Sequence, residues 1–445
     1  MVLIDLFKYF VSDFLTRFLL LPVRSSTPFQ GIRAHAAGLR SGSSLAKGAA
    51  LLVLGGIAAQ GLAGLTGLLV ARSLGPAAYG VYAAAFALAG VFAYTFTFGI
   101  DGILVREIAR HPAQADVIVA SAGLPALIWS LLLVLLIIAL GAWLGDSSQL
   151  GALLLVAAPT TGLRGLVIQA RAALRGSERL CLDAIIQSAE AGAVLAFGCI
   201  ALRLCTSALS AGSGVLLGEL LAFSIALFIL YTHFGPFQSF QPLVFRRMLR
   251  AALPLGLTFT LIGANLRLEL LLVGAFSSQN EVGLYAAALG ISMLSRPFSL
   301  LSAALLPRLA AAHNQVPGAF RALFRQGLLF AAAPGAALGL ATSLFASPLL
   351  KLLYGPGYLG GASALRILGL ASALLFLNTY LWHALIAMHR QGRIAIAVLA
   401  SLPATLALSC WLVPLYGSAG AALAALGREV IQMAMLSFFV ARKLL

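Results

Sequence analysis

Charge is what this chain lacks. Only 9% of its 445 residues are Asp, Glu, Lys or Arg, and acid is scarcest, with 13 Asp and Glu against 29 Lys and Arg. Soluble domains carry roughly a quarter charged residues. With 61% of residues hydrophobic and a mean hydropathy of +1.01, too little polar surface remains to cover a water-soluble core. Lipid must be the solvent for most of the chain. Metal and redox chemistry are equally short of material. The four cysteines, Cys181, Cys199, Cys205 and Cys410, form no CxxC pair, and the six histidines no HxxxH pair. Those are the spacings metal sites use, so no cofactor is expected. A formal charge of +16 would suggest nucleic acid in a soluble protein. Here the basic residues sit in short breaks between apolar runs, which is the pattern of membrane topology, and no nucleic-acid partner is expected.

What is present is a series of apolar runs. A bilayer core of about 30 Å needs about 20 helical residues per crossing. Runs of that size fall near 46–70, 81–105, 117–141, 148–172, 183–205 and 209–231, then near 251–275, 283–306, 324–346, 362–388, 393–415 and 417–441. These twelve spans predict an all-α integral membrane protein. With the N-terminus cytoplasmic, 21 Lys and Arg fall inside and only Arg72, Arg203 and Lys351 outside. That bias predicts a multi-pass membrane protein with both termini cytoplasmic. Residues 1–45 stand apart: 1–22 read as an interfacial amphipathic helix with Phe7, Phe10, Phe14 and Phe18 on one face, followed by a basic linker. A start codon assigned too far upstream explains them equally well. "FGPFQSFQPLVFRRMLRAALP" (234–254) reads as a basic amphipathic connector lying on anionic lipids of the inner leaflet.

The chain also repeats itself. "YGVYAAA" (79–85) returns as "VGLYAAA" (282–288), 203 residues on. "LRGSERL" (174–180) resembles "MHRQGRI" (388–394), and "GSGVLLGEL" resembles "GSAGAALAALGREV". These echoes in order predict two homologous six-helix lobes, 46–250 with its connector and 251–445. Six crossings per lobe make the repeats parallel, around a central cleft.

"LLVARSLGPAAYGVYAAAFALAGVFAYTFTFGIDGILVREIAR" (68–110) resembles the signature of polysaccharide-biosynthesis flippases. These are the Wzx-type members of the multidrug/oligosaccharidyl-lipid/polysaccharide exporter superfamily. The matching positions are Arg72, Leu74, Gly75, Pro76, Tyr79, Gly80, Tyr82, Gly99, Arg106 and Glu107, and the resemblance runs over about 46–445. It implies a twelve-helix, two-lobed transporter, not an enzyme. Its cargo would be an undecaprenyl-diphosphate-linked oligosaccharide moved to the outer leaflet for a surface polysaccharide, alongside polymerase and export machinery. Span 7 departs from the family in carrying Glu269 where Asp is usual.

Charged residues inside spans are costly, and so are the functional candidates. A diphosphate would be held best by arginine, whose planar fork binds phosphate bidentately. Arg267 and Arg296 lie about 12 Å and about 20 Å from the outer face at 1.5 Å per residue, and Pro297 should kink the helix beside Arg296. Arg164, Arg171 and Arg175 form one stripe down span 4 to its cytoplasmic mouth. Positive-inside anchoring and snorkelling explain Arg171 and Arg175 without a ligand; Arg164 needs more. Glu219 and Glu429 occupy equivalent repeat positions near mid-membrane, with Glu190 and Glu269 as weaker candidates of the same kind. Desolvation there favours a neutral carboxyl, as proton coupling requires, but bonding within each lobe suits their equivalence better. Three rival readings lack their signatures. A drug antiporter of the same superfamily should carry a carboxylate in span 1. A membrane glycosyltransferase or polymerase needs acids at the membrane face, and a major-facilitator transporter a Gly-x-x-x-Asp-x-x-Gly-Arg loop where this chain has "REIARHPAQAD".

Overall fold

The computed structural model describes residues 42–144, 148–235, 240–299, 302, 305–315 and 319–444. The expected amphipathic helix over 1–22 lies outside them. Residues 48–445 pack as one compact unit, and among the described residues all regular structure is helical. Among the described residues, nine helical stretches are long and apolar enough to cross a membrane.

Two of these stretches are far longer than one crossing. Leu54–Arg110 (57 residues) and Gly392–Arg442 (51 residues) each hold two of the expected spans. In the first, helix α1 (Gly42–Val91) turns at Gly75, φ 72°, followed by Pro76. This backbone region favours glycine, and proline next to it starts the returning helix. The second stretch, Gln391–Leu444, turns at Gly417, φ 55°, three residues after Pro414.

The expected span 2 is not one smooth helix. After Val91 come α2 (Ala93–Thr97) and α3 (Ile100–Arg110), parted by Phe98 and Gly99 at φ 47° and 71°. The equivalent stretch of the second repeat also breaks, at Leu294–Ser295, where Arg296 and Pro297 open a new short helix. Broken backbone at membrane depth needs protein partners or a wet cavity. The Trp129 indole donates to the Thr95 carbonyl (2.8 Å) and the Thr95 and Thr260 hydroxyls bond at 3.1 Å.

Next come α4 (Ala115–Leu144), α5 (Ser148–Gly176), α6 (Leu180–Leu204) and α7 (Ala208–Phe234). Helix α5 packs on α3, α4 and α7, and α6 on α7. Leucines at 124, 127, 131, 132, 135 and 136 of α4 stay exposed, a face suited to acyl chains. Helix α8 (Pro242–Phe276) corrects one expectation: from Pro242 on, the basic connector runs into span 7 as one helix, with Pro254 inside it. Gly256 and Gly263 let α8 lie directly on Phe98 and Tyr94 of the broken span. The second repeat continues as α9 (Gln279–Met293), α10 (Arg296–Ser299), α11 (Leu306–Gln315), α12 (Ala319–Leu344), α13 (Ala346–Leu353), α14 (Ala362–Ala387) and α15 (Gln391–Leu444). Helix α14 packs between α12 and α15, and α8 touches both α15 and the first repeat.

The two echoing segments meet. Tyr79, Ala84, Tyr285 and Ala286–Ala288 share one buried apolar cluster with Val70 and Leu350. At its centre the backbones cross at the two glycines. A Cβ on Gly80 would stand 1.8 Å from the Gln279 carbonyl oxygen, and one on Gly283 1.9 Å from that of Pro76. Gln279 and Pro76 are themselves repeat equivalents, so the crossing is two-fold in character. Tyr358, buried against it, donates to the Ala71 carbonyl at 2.6 Å. Gly80→Ala and Gly283→Ala should each force the crossing apart and cost roughly 1–3 kcal/mol, read as a lowered thermal transition in detergent. Gly61→Ala and Gly102→Ala, where nothing lies within 4 Å of the added carbon, should leave that transition unchanged.

Candidate functional site

Polar side chains inside the spans gather in two networks, one per repeat. In the first, α5 supplies three arginines down one stripe, spaced to share a helix face. Arg164 Nη2 lies 2.7 Å from Glu219 of α7 and its Nε 3.4 Å from Glu190 of α6. Arg171 Nε donates to Asp183 of α6 at 2.5 Å, with its Nη1 3.9 Å from Glu190. Arg175 reaches the other oxygen of Asp183 at 3.6 Å. Three cations thus face three carboxylates down the α5–α6–α7 interface. Asp183 and Glu219 are fully buried, whereas the Arg164 side chain is 49% exposed. Arg164 is therefore the member of this network that presents its charge to open space.

Asp183 had not been singled out, and it changes the reading of Arg171 and Arg175. They do not merely snorkel to the headgroups; a buried carboxylate in the first turn of the next helix holds both. Its spacing, twelve residues after Arg171 across a tight turn, was the available signal.

The second network is buried, and its Glu269, Arg428 and Glu429 line a small cavity beside Tyr285, Ser292 and Ser372. Arg428 of α15 makes a close ion pair with Glu269 of α8 and a second, at 3.3 Å, with Glu429. The Asn378 amide of α14 donates to the Glu429 carboxylate and carbonyl at 2.9 and 3.0 Å. Gln432 and Asn265 both donate to the Ser401 hydroxyl. All of these residues are buried, Arg428 included. Nothing local in the sequence ranks Arg428 as a ligand, and Asn378 has no charge to draw attention. Asn378 stands 214 residues after Arg164, the offset that relates "LRGSERL" to "MHRQGRI". Each repeat therefore sets a residue of its fourth span against the glutamate of its sixth: an arginine in the first, an amide in the second.

Arg267 differs from the rest. Among the described residues no carboxylate lies within ion-pairing distance of it, and Glu269, two residues on, points to Arg428 instead. Its guanidinium packs against Gly90, where a Cβ would stand 3.2 Å from Nε. Gly90 lies in the last turn of α1, whose carbonyl-bearing end favours a cation. Arg267 is also within electrostatic reach of Arg164 and Tyr94. The fold thus leaves Arg267 without a carboxylate partner among the described residues, within electrostatic reach of Arg164. Arg296 begins α10; its side chain lies outside the described residues. Near the opposite end of the first repeat, Glu107 pairs with Arg106 and Arg110 at 3.5 and 3.9 Å.

A family model described as polysaccharide biosynthesis protein matches residues 45–313. No curated protein matches the chain significantly. Solved transporters share its fold. One is described as lipid II flippase MurJ in an inward closed conformation, with a TM-score of 0.72 at 18% identity over 88% of this chain and 87% of that one. An inward-facing multidrug resistance MATE family transporter of the MOP superfamily gives 0.70 at 17% identity, covering 86% and 95%. A MOP superfamily transporter from Pyrococcus furiosus, whose description cites a reversed polarity of the binding pocket, gives 0.63 at 16% identity, covering 94% and 97%.

The second network carries a test of its own. Arg428→Met removes the cation shared by Glu269 and Glu429 while keeping most of the volume. Breaking such a buried pair costs about 3–5 kcal/mol, so the purified protein should unfold at clearly lower temperature. An unchanged transition would show that the network does not hold α8 to α15.

Proposed function

The chain belongs to the polysaccharide biosynthesis protein family, and from that premise we propose that it flips an undecaprenyl-diphosphate-linked oligosaccharide from the cytoplasmic to the outer leaflet. The nine helices apolar enough to cross a membrane among the described residues, and a fold shared with MOP superfamily transporters, support a multi-pass transporter. The cargo is the further step. The observation that carries it is the pair Arg164 and Arg267: two cations from different repeats, one half-exposed and one without a carboxylate partner. A lipid-linked diphosphate needs a water-accessible cationic site for its headgroup while the polyprenyl tail stays in hydrocarbon.

A drug antiporter is the rival within the fold, and the charges disfavour it. Such a carrier of cations wants carboxylates facing the cleft. Here Asp183, Glu190, Glu219, Glu269 and Glu429 all lie against arginines.

The proposed cycle is alternating access between two six-helix lobes of twelve crossings in all, with both termini cytoplasmic. The Gly80–Gly283 crossing closes the outer end, and the headgroup enters from the cytoplasmic mouth past Arg175 and Arg171. Rocking of the lobes then parts the crossing and turns the headgroup outward.

Reconstituted in vesicles, Arg164→Ala and Arg267→Ala should each slow flipping of lipid-linked oligosaccharide at least tenfold, about 1.4 kcal/mol of lost transition-state binding. If both variants flip at the wild-type rate, the cationic site is wrong. Accessibility labelling of cysteines placed in 106–116 should report a cytoplasmic loop; outward labelling would invert the topology and the direction of transport.

A further inference from the structure

Two side chains of the first repeat stand at membrane depth with hydrogen-bonding groups that the fold does not use. Gln60 of α1 is exposed and Gln187 of α6 half-buried, and neither amide has a partner among the described residues. Each carries two N–H donors and a carbonyl acceptor. Leaving such groups in hydrocarbon is costly, so an open amide at this depth belongs on a wet surface.

The packing of α1 says which surface that is. Gly56, Gln60 and Gly64 follow one another at i, i+4 and i+8 along one face of the helix. A Cβ on Gly56 would stand 3.7 Å from Gln187 Nε2, and one on Gly64 3.7 Å from Leu294 Cδ2, at the break in the second repeat. The face that carries Gln60 thus begins against the first repeat and ends against the second, and Gln60 is exposed to the space between them. Gln187 shares a stripe of α6 with Asp183 and Glu190, the acids that hold the α5 arginines. It therefore stands where α1, α5 and α6 meet, three residues from Glu190 and about 5–6 Å from it at the Cβ. Depth agrees as well. Gln60, Arg164 and Gln187 lie about 22–26 Å, at 1.5 Å per residue, from the Gly75 turn, the start of α5 and the end of α6, which share one side of the membrane.

The matching place in the second repeat is taken up by internal bonds. Gln187 stands 214 residues before Ser401, the offset from Arg164 to Asn378. The Ser401 hydroxyl accepts from Asn265 of α8, the counterpart of span 1, and from Gln432. The first repeat leaves its amides open instead, beside an arginine that is itself half-exposed.

We propose that Gln60 and Gln187 form the subsite for the sugar that follows the diphosphate, a neutral pyranose read through its hydroxyl groups. With the diphosphate on Arg164, the sugar joined to it comes next to the meeting point of α1, α5 and α6. Amides that both donate and accept match hydroxyls that do the same, and they bring no further charge beside Glu190 and Glu219. The subsite rests on Arg164 being the diphosphate ligand, as proposed above, and adds which part of the chain reads the sugar.

The test compares two lipids on the full chain in detergent: undecaprenyl-diphosphate-linked N-acetylglucosamine, and methyl undecaprenyl diphosphate, which carries the same charge and no sugar. Gln60→Leu and Gln187→Leu should each lower the ratio of the two affinities about five- to tenfold, the loss of one or two hydrogen bonds. Arg164→Ala should weaken both lipids and keep the ratio. A ratio unchanged in both glutamine variants overturns the subsite and leaves the diphosphate site standing. Equal weakening of both lipids by the glutamine variants also overturns it, because the amides would then act on the phosphates or through the fold. A wild type that binds neither lipid, or an Arg164→Ala variant that binds both as tightly, removes the diphosphate site and the subsite with it.

Discussion

A charge inside hydrocarbon has to be met by another charge, and the interior of this protein is arranged around that requirement. Taking a guanidinium or carboxylate out of water costs several kcal/mol even after relaxation, and only close, well-partnered pairs recover it. The first repeat meets the demand with three arginines on α5 facing three carboxylates on α6 and α7. The second meets it with Arg428 between Glu269 and Glu429. All of these pairs except Arg428–Glu429 join different helices, so the polar contacts also fix which helix faces which. Apolar packing alone is a weak guide among helices surrounded by lipid tails as greasy as themselves.

The same slot is used in opposite ways by the two repeats. Arg164 and Asn378 occupy corresponding places, each against a glutamate of its sixth span. The amide makes a neutral, closed contact, and the second network is buried throughout. The arginine leaves half of its side chain exposed and lies near Arg267. At the two matching positions an amide thus stands in a buried network and an arginine leaves half of its side chain exposed.

Movement has its own requirement, met by glycine and broken helix. The crossing of Gly80 and Gly283 brings two backbones closer than any side chain allows, which makes a tight seal from few residues. The breaks at Phe98–Gly99 and Leu294–Ser295 lie between that seal and the far ends of the same two spans. They divide each span into a segment committed to the crossing and a second segment beyond it, and at the first break the Trp129 indole satisfies the Thr95 carbonyl.

Most of the helical framework was legible in the sequence, because a crossing needs a long apolar run and positive charge marks one side. The repeat was legible too, through Gly-x-Tyr at 80–82 and 283–285. Less was legible at the site. Arg164, Arg267 and the four glutamates stood out because charge is rare in these spans. Their pairing did not: nothing local in "NLRLEL" says that Glu269 turns to Arg428 while Arg267 turns to Gly90. Asp183 was hidden at a helix start, where acids are ordinary. Composition and periodicity by themselves determined that this is a polytopic helical membrane protein built on a duplicated plan. Which charges cancel and which remain available was decided only by tertiary structure, because pairing depends on distances of a few ångströms between residues far apart in the chain.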